Sequence, residues 1–155
     1  MAEPVFERPD DGTALTNPTG GHVTFKVRGD RSGGSITAFE TVVAAGEGPP
    51  LHTHANEDET LFVIEGEVRF KLGDQMHTGP VGTLVFVPRG TPHTFQNVGD
   101  KPARMLIHFA PSGMERFFDG WAALDAPGAE DFVRLGGEVG MAVVGPPLAR
   151  SHPAG

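Results

Sequence analysis

Gly46-Glu-Gly-Pro-Pro-Leu-His52-Thr-His54-Ala-Asn-Glu-Asp-Glu59-Thr-Leu-Phe-Val-Ile-Glu-Gly66 is the stretch that decides the reading of this chain. His52 and His54 stand two apart, so on a strand their side chains leave by the same face. A second stretch, Gly82-Thr-Leu-Val-Phe-Val-Pro88-Arg-Gly90-Thr-Pro-His93-Thr-Phe-Gln-Asn97, supplies a third histidine. Glu59 and His93 could complete, with His52 and His54, a ring of four ligands around one cation. The chain has no cysteine, so a metal here must be held by imidazole and carboxylate, and no disulfide framework exists.

Outward from these stretches the sequence reads as short strands broken by turns. Residues 1–20 are rich in Pro, Asp, Thr and Gly and read as an irregular arm. His22 to Arg28 alternates Val23, Phe25 and Val27 with polar neighbours, the pattern of a half-buried strand. Ser35–Ala45, Thr60–Glu65, Glu67–Leu72, Gln75–Thr78, Thr83–Val87, Thr91–Val98 and Ala103–Ala110 follow as further strands. Strands this short and this frequently punctuated point to an all-β sandwich or barrel over residues 21–111.

Beyond it, Ser112 and Glu115 have capping-box spacing, and Met114, Phe117, Phe118, Trp121 and Leu124 fall on one helical stripe. A helical extension over 112–144, packed on the outside of the barrel, is therefore expected, with a loose tail over 145–155. Phe62 and Ile64 are apolar on the strand face opposite Glu59, Leu61 and Val63, so both faces of that sheet should be covered. The helices or a second copy of the chain would supply the cover, and a homodimer is the expectation.

A length of 155 residues suits one domain with its own core. The net charge of −8, with no basic run, argues against a nucleic-acid partner. No apolar stretch reaches membrane-spanning length, and the N-terminus lacks the layout of a secretion signal. The expectation is a soluble, cytoplasmic protein whose partner is a small-molecule substrate.

The two stretches together resemble the cupin family. Gly46, His52, His54, Glu59 and Gly66 match every fixed position of its first motif, G-x5-H-x-H-x4-E-x6-G. Gly82, Pro88, Gly90, His93 and Asn97 do the same for the second, G-x5-P-x-G-x2-H-x3-N, after a 15-residue spacer of the length found in compact bacterial members. In outline the chain looks most like the small quercetin-dioxygenase-like cupins. The resemblance implies a double-stranded β-helix, or jelly-roll, barrel with a metal in its mouth, held by His52, His54, Glu59 and His93.

A divalent cation with three neutral imidazoles and one carboxylate keeps a net positive charge and favours an anionic oxygen such as an enolate or phenolate. The candidate cofactor is one divalent transition metal among Fe, Mn, Ni, Cu, Co and Zn, because this ligand set accepts them all. The leading expectation is a dioxygenase of an enolisable or phenolic substrate, with Glu59 also acting as the catalytic base. Phe39, Leu61, Val63, Phe95 and Met105 are the expected pocket wall. A non-oxidative isomerase, cyclase or decarboxylase, or a non-enzymatic metal or small-molecule binding module, would use the same ligands. Glu57 reads as a solvated residue of a polar bend, Asn97 as a structural fixture, and His108 as a satisfied interior histidine.

Overall fold

A computed structural model describes residues 1–153. The strands are β1 (Ala14–Thr16), β2 (His22–Val27), β3 (Thr37–Val43), β4 (Pro50–His54), β5 (Asp58–Glu65), β6 (Val68–Leu72), β7 (Gln75–Gly79), β8 (Leu84–Val87), β9 (His93–Asn97), β10 (Ala103–Ala110) and β11 (Met141–Pro147). The helices are α1 (Glu115–Ala122), α2 (Ala129–Glu138) and the single turn α3 (Leu148–Ser151). Two antiparallel sheets face each other, one ordered β1-β2-β3-β10-β5-β8 and the other β11-β4-β9-β6-β7. The fold is the expected all-β jelly roll with a short helical C-terminal part.

Alternation builds the core. Along β3, Thr37, Phe39, Thr41 and Val43 are buried, and along β10 so are Ala103, Met105, Ile107 and Phe109. Register then stacks these residues into layers across the sheet. Ile107 lies opposite Phe39 and Leu61, Met105 opposite Thr41 and Val63, and Phe109 opposite Thr37 and Glu59. The carboxylate of Glu59 therefore sits at one end of an otherwise apolar column.

The fixed positions of the two motifs have mechanical roles that join one motif to the other. Gly46 N–H donates to Asn97 C=O (3.0 Å), and Asn97 N–H donates to Glu47 C=O (2.9 Å). The fully buried Asn97 side chain donates to the carbonyls of Val43 (3.0 Å) and Lys101 (2.7 Å) and accepts from Gly99 N–H (2.9 Å). Gly90, at φ 82°, occupies backbone space that favours glycine, and its N–H donates to the carbonyl of His54 (2.8 Å). The turn before His93 is thus tied directly to the strand carrying His52 and His54.

Both ends of the chain depart from expectation. The loose tail expected over 145–155 is overturned where the structure describes it: Gly145–Pro147 complete β11 and α3 buries Leu148, while residues 154 and 155 lie outside the described residues. Strand β11 pairs with β4, setting Met141 opposite His54 and Val143 opposite His52, so the chain's end braces the ligand-bearing strand. Its Gly and Pro content disguised it, yet those residues are tolerated because β11 is a sheet edge. The arm over 1–20 likewise contains a strand, β1, paired with β2.

The helices, finally, do not lie on the outer sheet face. Helix α1 contacts β1 and α2 contacts β11, so the pair bridges the edges of the two sheets across the open side of the barrel. Phe118 packs on Phe25 and Phe39, and Phe117 on Phe132. Ser112 is not the cap that the spacing suggested. Instead Glu115 accepts from Gly113 N–H (2.9 Å), Gly29 N–H (2.8 Å) and the Thr37 hydroxyl, pinning the start of α1 to the barrel. Burial opposes ionisation of Glu115, but these donors outweigh it and hold the carboxyl below its usual range. Arg28 adds a bidentate pair with Asp119 at 2.7 and 2.9 Å. With the helices placed there, Phe62, Leu84, Phe86 and Leu106 stand exposed on the outer face of the larger sheet.

Candidate metal centre

Each ligand is delivered by a strand. β4 presents His52 and His54 inward, β5 presents Glu59 and β9 presents His93, with His52 directly opposite His93 in the register. All four residues are buried, and one ligand atom from each lies within 4.8 Å of the others. Metal–ligand bonds of roughly 2.0–2.2 Å require ligand atoms about 3–4 Å apart, so the cluster has the dimensions of a single-cation site.

Two backbone carbonyls aim the imidazoles. His52 Nδ1 is 2.7 Å from Pro50 O and His93 Nδ1 is 2.8 Å from Thr91 O, each the carbonyl two residues earlier on the same chain. A proton on Nδ1 satisfies those contacts and turns each Nε2 toward the barrel axis, where its lone pair would serve a cation. His54 differs: among the described residues neither of its buried ring nitrogens makes a hydrogen bond, although Nε2 lies 3.3 Å from Glu59 Oε2. A buried polar atom without a partner is costly, and a cation at the cluster would remove that cost. The donor set and this orphaned imidazole both fit a metal.

Electrostatics inside the cluster point the same way. Burial pushes His52 down to about 3, with further lowering by His93 and His54, so it stays neutral and able to ligate. Burial opposes the charge on Glu59, but His93 and His54 overcome it and hold the carboxylate well below its usual range. Burial likewise lowers His93, yet the charge of Glu59 and the 2.6 Å contact between His93 Nε2 and Glu59 Oε2 raise it above an ordinary histidine. Without a cation, the proton shared along that contact supplies the neutralising charge. A metal would displace it.

Three of the ligands, His52, His54 and Glu59, open onto a small cavity of about 60 Å³. Phe39 and Phe95 line it, as expected from the sequence. Leu61, Val63 and Met105 do not: they point inward but lie in the packed core, outside the cavity lining. Strand alternation marks an inward side chain without telling whether it borders the void or is covered by its neighbours, hence the misplacement. In their stead come Phe109, whose ring meets His54 edge-on at 5.0 Å, and Met114, Phe117, Phe118 and Phe132 from the helical part. The stripe expected to pack outside the barrel thus supplies part of the pocket wall.

Asn17, Thr19 and Thr41 give that wall a polar corner, whose groups are largely spent on one another: Asn17 Oδ1 accepts from Thr19 and Gly21, and its amide donates to Thr41 Oγ1 (2.9 Å). Nothing in the local sequence of Asn17 flagged it, because its partners lie up to 25 residues away. Glu57 is buried rather than solvated, its Oε2 has no partner, and burial raises its pKa. His108 lies half-buried on the outer face of β10 rather than in the interior.

A family model for the cupin domain matches residues 39–109. Protein SchB of Streptomyces halstedii is 30% identical over 110 residues, which cover 70% of this chain and 71% of SchB. Polyketide synthase CurC of Streptomyces cyaneus is 28% identical over 93 residues, 60% of each chain. The chain spans 46 to 71% of the length of the curated relatives it matches. Among solved structures, KdgF from Halomonas sp. superposes with a TM-score of 0.65 at 14% identity, covering 73% of this chain and 98% of KdgF, a likeness of fold.

His52→Ala should lower affinity for a divalent metal by more than the roughly 10–100-fold that losing a supporting hydrogen-bond partner costs. Metal titration of the purified variant measures this, and unchanged stoichiometry and affinity would refute the ligand assignment. Because His93 holds its proton above the usual histidine range, metal uptake must release it. Affinity should therefore fall as pH drops below that raised value, by about tenfold per pH unit for one displaced proton.

Proposed function

The chain belongs to the cupin family, and on that premise we propose that it is a metal-dependent enzyme acting on a small enolisable or phenolic molecule, with dioxygen as the second substrate. The observation that carries this reading is the convergence of three imidazoles and one carboxylate at the head of a cavity whose other walls are aromatic and aliphatic. A bound divalent cation would supply Lewis acidity toward an enolate or phenolate oxygen and, where redox-active, a path for electrons. His52, His54, Glu59 and His93 would hold it.

The side chains define the remaining roles. Glu59 is the carboxylate adjacent to any oxygen donor entering the cavity, and it accepts the enol or phenol proton on one carboxylate oxygen. Phe39, Phe95 and Phe109 exclude water and offer flat faces to a planar substrate. The polar corner at Asn17, Thr19 and Thr41 lines the same cavity as these rings and orients the polar end of the substrate.

A second reading drops dioxygen. Two relatives carry polyketide synthase in their names, and compounds of that class carry the enolisable carbonyls that the same site would activate for cyclisation or isomerisation. Assay of metal-loaded protein against phenols and β-dicarbonyl compounds, in air and under argon, separates the two. The oxygenase reading expects turnover with matching oxygen consumption, abolished under argon; turnover that persists unchanged under argon leaves the non-oxidative reading in its place.

We also propose that a second copy of the chain covers the exposed outer face formed by Phe62, Leu84, Phe86 and Leu106, since large contiguous apolar patches mark interaction surfaces. Light scattering at micromolar concentration should give twice the 16.4 kDa chain mass. A species of one chain mass would refute it.

A further inference from the structure

The cavity at the ligands is too small for a whole organic substrate of ordinary size. Its 60 Å³ holds a few water molecules, whereas ligand pockets usually run to roughly 300–1,000 Å³. A second space of about 490 Å³ lies immediately outside it, between α2, β11 and the turn preceding β4. The two spaces share three wall residues, Pro18, Pro49 and Phe132. The outer groove is walled by Trp121, Val133, Val143 and several prolines, with Glu47 and Arg150 as its charged groups.

We infer that these are two halves of one binding site divided by the ring of Phe132. The outer groove takes the apolar body of the substrate, and the inner cavity admits only its oxygen-bearing end. The substrate class is accordingly a phenol or enol carrying an extended hydrocarbon or multi-ring body, not a compact polar acid. This deepens the reading given under Proposed function and rests on it for the metal-directed oxygen alone.

The partition has one fixed side and one adjustable side. Pro49 is buried, its carbonyl accepts from the Thr94 hydroxyl at 2.6 Å, and its ring has no torsional freedom. Phe132 stands opposite on α2, held edge-on by Phe117 at 5.1 Å and by Trp121 at 6.1 Å. Its contacts are aromatic side chains, which can shift, and no hydrogen bond locks it. Gly128 is the N-cap of α2, and the position its missing Cβ would take has no neighbour within 4 Å among the described residues. Phe132 is therefore the specificity-determining residue that sets how wide a neck joins the groove to the metal end.

Trp121 lines the groove and is the only tryptophan in the chain, so its emission reports occupancy of the outer half. Visible spectra of the Co(II)-loaded protein report occupancy of the inner half. Phenol and 4-cyclohexylphenol carry the same oxygen and differ only in the apolar body. With wild-type Co(II) protein, 4-cyclohexylphenol should bind about tenfold or more tighter than phenol, from burial of its extra ring, and should perturb Trp121 where phenol does not. Val133→Asp, at a groove residue 54% exposed and so tolerant of change, should remove most of that advantage while leaving phenol affinity and metal content unchanged.

Phe132→Ala should widen the neck and tighten 4-cyclohexylphenol several-fold further. Equal affinity for the two phenols, or full retention of the advantage in Val133→Asp, would overturn the inference. All of these readouts are of binding, so absence of turnover would sink the enzymatic reading and leave this one standing.

Discussion

Four ionisable side chains are forced together in a dry interior, and the rest of the structure is arranged around that constraint. Glu59, His52, His54 and His93 are each buried, and one ligand atom from each falls inside a 4.8 Å sphere of mutual distance. Burying a carboxylate costs several kcal/mol unless it is paired. The protein alone offsets this by the contacts of His93 and His54 with the carboxylate and leaves the ring nitrogens of His54 without a hydrogen bond among the described residues. A divalent cation satisfies all four at once, which is why the cluster reads as a metal site rather than as a polar defect in a core.

Holding such a cluster demands rigid strands. The hydrogen bond from Gly90 to His54, the pairing of β11 with β4, and the carbonyls of Pro50 and Thr91 on the imidazoles all act on the ligand-bearing segments. Chemistry at the site needs the opposite quality, access. The helical pair provides it by spanning the open side of the barrel through aromatic side-chain contacts, tied down at Glu115 and Asp119. Stiffness at the ligands and adjustable packing at the mouth come from different segments of the chain.

Much of this was legible before any coordinates. Ligand spacing is local, since a two-residue interval on a strand fixes a shared face, and turn glycines mark where strands must end. Most strands over 22–110 follow for the same reason, β4 (Pro50–His54) being the exception behind its paired prolines. What escaped was non-local. β11 carries Gly145, Pro146 and Pro147, so its local composition speaks against a strand, and only pairing with β4 at a sheet edge makes it one. Leu61, Val63 and Met105 share the inward face, and even the layers, of the cavity residues Phe39, Thr41 and Ile107, yet are covered by core packing. Phe117 and Phe118 show helical periodicity, which says that a face is buried without saying against what. Glu57 looked solvated among polar neighbours because burial by distant segments leaves no trace in the local sequence.

The central claim is that a single cation binds to these four side chains with a position left open toward the apolar cavity. X-ray absorption at the metal edge of protein loaded with one equivalent of Co(II) tests it most directly. The account predicts three imidazole nitrogens, one carboxylate oxygen and at least one exchangeable water oxygen at about 2.0–2.2 Å. A closed four-coordinate ion without exchangeable water, or a ligand set lacking the carboxylate, would contradict it.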